Sequence, residues 1–112
     1  MRFCFTLDFP LSDLAIQPQA VAEALLKACQ RHAPARLLTL LPLEDRFLVV
    51  CQPLDTPEQT TREVQVDCLF DASPEALKAL LRQREEGGYL PVGVISDFPE
   101  AGAPRRFLIV QR

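Results

Sequence analysis

The sequence is poor in the residues that most chemistry needs. It holds one histidine and four glycines in 112 residues, and no two of its four cysteines stand in a Cys-x-x-Cys spacing. A lone histidine without paired thiols gives no zinc or redox-dithiol signature. Gly-x-Ser-x-Gly, Walker-type and Gly-x-Gly-x-x-Gly strings are all missing, which removes the usual nucleophile elbow and phosphate cradles. No apolar run reaches the ~18 residues that span a bilayer. The first residues enter a strand-like pattern rather than a charged segment followed by a long apolar one, so a cytoplasmic chain with reduced thiols is expected.

Basic excess is missing too. The net charge is −3 and the pI about 5.1, against the positive face that a nucleic-acid binder needs. The short basic clusters, Arg105–Arg106 with Arg112 and Lys78–Arg82–Arg84, lie near Glu85, Glu86 and Glu100 and read as solvated surface.

What is present is ordinary globular material. With 48% hydrophobic and 24% charged residues, the chain is expected to form a single domain over residues 1–112. Phe3, Phe5, Leu7 and Phe9 alternate with Cys4, Thr6 and Asp8, the period of a half-buried strand. Residues 10–17 read as loop. Pro18 opens a helix to His32, with Val21, Leu25, Ala28, Cys29 and His32 on one side. Two apolar runs, 36–41 and 46–51, form a hairpin across Pro42–Asp45. A polar connector, 53–61, divides a first half (1–52) from a second (62–112).

The second half repeats the order. Residues 63–70 alternate with Val64, Val66, Cys68 and Phe70 inward. Ser73 and Pro74 open a helix with Leu77, Leu80 and Leu81 as its apolar stripe, and Gly87-Gly88 ends it. Strands over 89–96 and 105–111 follow, joined by 97–104. The residues repeat as well: Pro18-Gln19-Ala20 matches Pro74-Glu75-Ala76, and Arg46-Phe47-Leu48-Val49-Val50 matches Arg106-Phe107-Leu108-Ile109-Val110. The expectation is an α+β fold. A tandem β-α-β-β repeat forms a two-layer, ferredoxin-like sandwich, with a largely antiparallel sheet and two helices on one face. A sheet curled into a barrel is the alternative.

The runs 37–41, 47–51 and 107–110 do not alternate, which predicts strands covered on both faces. Two helices on one face leave the other bare. A second copy of the chain is the simplest cover, with Leu38, Leu40, Val50 and Leu108 as candidate contacts. The third of the chain from Leu77 to Arg112 resembles a family of short bacterial domains of unknown function, which end in a helix, a Glu-Gly-Trp turn, an apolar strand and an aromatic-basic strand. Here Gly88-Tyr89 replaces the tryptophan and Pro91 interrupts the strand. The resemblance implies a β-α-β-β module and no activity.

Catalytic candidates are few. Asp8 and Asp67, in the first strand of each half, could act as a carboxylate pair if the repeat brings them together. His32, in the last helical turn, could cap carbonyls or serve as an acid–base group. The leading functional expectation is a non-enzymatic, self-associating interaction module, with a homodimer and a protein partner but no cofactor, metal, nucleic acid or membrane. A small-ligand sensor is the second, and a small enzyme the third.

Overall fold

The computed structural model describes residues 2–43, 45–70, 73–97, 102 and 104–112. The strand β1 covers Phe3–Leu7, followed by the short helix α1 (Asp13–Ile16) and the longer α2 (Pro18–Arg31). The hairpin β2 (Ala35–Pro42) and β3 (Phe47–Pro53) comes next, then one 3-10 turn at Pro57–Gln59. The second half runs β4 (Val64–Leu69), α3 (Pro74–Glu86), β5 (Leu90–Asp97) and β6 (Arg105–Gln111). Pro18 and Pro74 each sit at a helix start, and Ser73 Oγ accepts the Ala76 N–H at 3.2 Å. That bond satisfies one of the donors a helix start leaves without a partner.

Two elements lie where no regular structure is expected. The helix α1 occupies part of the 10–17 segment and buries Leu14 completely. The 3-10 turn lies inside the connector. Phe9 packs on the core from beyond the end of β1, whereas Phe70, expected inward, is 73% exposed. Glu44 of the first hairpin turn, Glu100 and most of the 97–104 connection lie outside the described residues.

The six strands form an α+β sandwich from two antiparallel three-stranded sheets rather than one six-stranded sheet, in the orders β1-β3-β2 and β4-β6-β5. Strand order is the same in both halves. The sheets stay separate because the edge of β2 is sealed by side chains. The Leu37 N–H donates to Gln111 Oε1 at 3.2 Å, and Gln111 Nε2 donates to the Leu37 carbonyl at 2.6 Å. A primary amide presents the same donor and acceptor as a peptide group, so Gln111 acts as one residue of a neighbouring strand. Thr60 Oγ1 and the Thr61 N–H satisfy the Ala35 N–H and C=O beside it.

One core joins the halves. Phe47, Val49, Cys51, Leu37 and Leu40 of the first sheet meet Val21, Leu25 and Cys29 of α2 and Ile95, Phe107 and Ile109 of the second. The helices do not share a face of one sheet. The helix α2 covers the inner face of the first sheet and packs against β4. The helix α3 lies on the far side of the second sheet, where Arg84 binds Asp67. Asp67 is the cross-strand partner of Leu108, so Leu108 and Val110, buried but outside the shared core, belong to the α3 face. Leu77, Leu80 and Leu81 are half-buried, and no α3 residue is fully buried.

Candidate interaction surface

The outer face of the first sheet is built by alternation along β1 and β3, with one irregularity in β2 between Leu37 and Thr39. Register places Cys4 beside Val50 and Thr6 beside Leu48, with Thr39 and Leu41 on the other side of β3. These side chains point away from Phe3, Phe5, Phe47 and Val49, which fill the core. No described helix or strand packs on this face. Leu48, Val50, Leu38 and Thr39 are half-buried, Cys4 and Thr6 exposed, and Leu41 is 47% exposed. No charged residue stands among them. Arg36 and Gln52 mark one end, and Arg46 marks the other.

The expected contact residues divide. Leu38 and Val50 lie at this surface. Leu40 is 5% exposed because the irregularity between Leu37 and Thr39 shifts the alternation and turns it inward beside Val49. Leu108 is 1% exposed, enclosed within its own chain. The continuous apolar run of β6 does mean cover on both faces, five consecutive buried residues from Phe107 to Gln111. That cover comes from α3 and from the first half. The runs in β2 and β3 are buried on one side only. Leu41 and Leu48 belong to the surface in addition; the period-two pattern across the hairpin, read with its register, is the signal that finds them.

The structure does not gather the acid–base candidates. Asp67 accepts two hydrogen bonds from Arg84, at 2.8 and 2.7 Å, and one from Gln65. It therefore ties α3 to β4, and the bond raises the Arg84 guanidinium further above its usual range. Asp8 is exposed just past the end of β1, near Arg46. His32 lies tilted against Phe3 and stacked on Phe5, with ring centroids 5.0 and 5.8 Å away. Three strand residues, roughly 10 Å, separate Phe5 from Asp8. Among the described residues no contact links the three.

The cysteines occupy three settings. Cys4 is exposed and Cys68 half-buried, and burial raises the Cys68 thiol. Cys29 and Cys51 are fully buried neighbours between α2 and β3. Their mutual hydrogen bond lowers Cys29 and raises Cys51. The Cys29 thiol nevertheless donates to the Ala35 carbonyl at 3.2 Å, a bond only its protonated form makes. Burial keeps both from reagents in solution.

Between α2 and β4 lie two adjoining shallow hollows of about 320 and 300 Å³, sharing Gln19, Ala22 and Val64. No group of three or more His, Cys, Asp or Glu side chains among the described residues could hold a metal ion. No described helix is long and apolar enough to cross a membrane. No family model matches the chain, and no match to it is found among curated proteins or solved structures.

Proposed function

We propose that this chain is a non-enzymatic interaction module that self-associates through the bare side of its first sheet. One observation carries the reading: an uncharged face of Leu38, Leu41, Leu48, Val50, Cys4 and Thr6 that no described element covers. Contiguous apolar patches beyond a few hundred Å² are uncommon on soluble monomers and mark contact sites. A second copy supplies a self-complementary cover with no further component. Light scattering across a concentration series tests this. The wild type is expected above monomer mass, Leu48→Glu nearer to it with the fold intact, and Gln83→Glu on exposed α3 surface unchanged. A clean wild-type monomer at high concentration overturns the reading.

A small-ligand sensor is the second reading, supported by the hollows between α2 of one half and β4 of the other. Their lining combines Ala22, Leu26, Val64 and Val66 with Gln19, Glu23, Gln65 and Tyr89. Ligand sites do form between packed units, as apolar hollows with a few polar groups. A metabolite panel read by thermal shift, with Ala22→Trp filling the hollow, separates this reading from the first.

A further inference from the structure

The two sheets have four edge strands, and three of them carry an obstacle to pairing. Gln111, Thr60 and Thr61 occupy the edge of β2 at Ala35 and Leu37. Pro91 and the irregularity between Pro91 and Gly93 blunt β5. The helix α2 packs against β4. These are the ordinary devices by which proteins keep sheet edges from pairing. The fourth edge, β1, has none of them. Phe3–Leu7 contains no proline and no charge, and its register with β3 runs unbroken. Among the described residues, its outward backbone groups have no partner.

We infer that β1 is the docking edge for β1 of a second copy, in antiparallel pairing centred on Phe5. The inference rests on the reading of the chain as self-associating and adds to the contact through the bare face a second one along the sheet edge, with its register. A twofold axis through Phe5 sets Phe3 against the partner's Leu7, Cys4 against the partner's Thr6, and Arg2 against the partner's Asp8. All five strand residues pair, and both flanking charges meet an opposite charge, twice over by symmetry. Centring on Cys4 leaves Asp8 without a partner, and centring on Thr6 sets Arg2 against the partner's Pro10. Parallel pairing sets like charges side by side, which is destabilising. The Phe5-centred register is thus the one that the end charges select. Arg2 and Asp8 are both exposed and free for this role; within the chain Asp8 has Arg46 near it, and Arg2 forms no ion pair among the described residues. The product is a continuous six-stranded sheet, β2-β3-β1-β1-β3-β2, with both bare faces on one side.

Sedimentation equilibrium on the wild type, Arg2→Asp, Asp8→Arg and the double reversal is the test. Each single change places like charges opposite each other twice and is expected to weaken association on the order of tenfold. The double change restores opposite pairs and should return the constant to near wild type. The two residues stand roughly 20 Å apart along one strand, so the rescue cannot be internal. Because Asp8→Arg also meets Arg46, hydrogen exchange on the unmodified protein gives an independent reading. Protection of the 3–7 amides should rise with protein concentration. If the protein associates but these amides exchange alike at all concentrations, or the double change associates no better than Arg2→Asp, the pairing is wrong and the self-association stands. A monomer at every concentration removes both.

Discussion

The last strand of each half carries nearly the same five residues, and the fold uses them differently. In β3, Phe47 and Val49 face the half's own helix and Leu48 and Val50 face outward. In β6, Phe107 and Ile109 turn away from the half's own helix toward the joint core, while Leu108 and Val110 lie beneath α3. One string thus serves an outer sheet with one bare face and an inner sheet with none. A strand's apolar content states how much it can bury; its neighbours decide on which side.

Truncating matched leucines separates the two strands by the largest margin. Leu108→Ala is expected to cost ~2–5 kcal/mol, the range for a fully enclosed leucine. Leu48→Ala should cost under ~1 kcal/mol, as at a position open to solvent. Urea unfolding at low protein concentration measures both, and equal losses would show that the first sheet is covered after all.

The next pair compares Gln111 with Cys51, its counterpart in strand order. Gln111→Leu keeps the bulk but removes the donor to the Leu37 C=O, the acceptor of the Thr61 hydroxyl and the shorter of two acceptors of the Leu37 N–H, at a cost of about 2 kcal/mol. Cys51→Ala makes a smaller cavity and leaves no backbone group unpaired, so about 1 kcal/mol is expected. Calorimetry should rank them in that order.

Helix attachment gives a smaller contrast. The first half holds α2 through buried Val21, Leu25 and Cys29, whereas the second holds α3 partly through the Asp67–Arg84 pair, whose side chains are 13% and 24% exposed. Arg84→Met should cost about 1–2 kcal/mol, less than full burial would give because solvent screens the pair. The loss should shrink in high salt, and Leu25→Ala should show no such salt dependence.

The smallest effect concerns Glu63, which the Tyr89 hydroxyl and then Arg112 hold below the usual carboxylate range. A lowered folded-state value means stability that is present above the ordinary carboxylate range and lost as pH falls through the lowered one. Glu63→Gln should therefore lower stability slightly at neutral pH, leave the acid value nearly unchanged and flatten the profile between them, as urea unfolding across the pH range would show.

Much of the fold was legible because local rules and burial agreed. Alternation from Phe3 to Leu7, Pro18 and Pro74 at the helix starts, Ser73 as a cap and Gly87-Gly88 as a stop each placed an element within a residue or two. The joining of the halves was not legible. Gln111 reads as the polar exit of a strand, and only its position across from Leu37, 74 residues away, makes it part of a sheet edge. For the same reason Leu40 and Leu108 could not be told from surface leucines. One depends on a local irregularity in β2, the other on which side α3 occupies. Asp67 shows the limit for polar residues: alternation puts it opposite Val66, and the sequence does not say that Arg84 is waiting there.

The amide of Gln111 also sets an order of events. All three strands of the first sheet are complete once Pro53 has been made, yet the edge of β2 is sealed only when residue 111 arrives. Such a contact, between residues far apart in the chain, is entropically late in folding. At ~5–20 residues per second, the growing chain spends several seconds with β2 as exposed as β1 is in the finished protein. During that interval the first half has two strand edges open to pairing, and adding the second half reduces them to one.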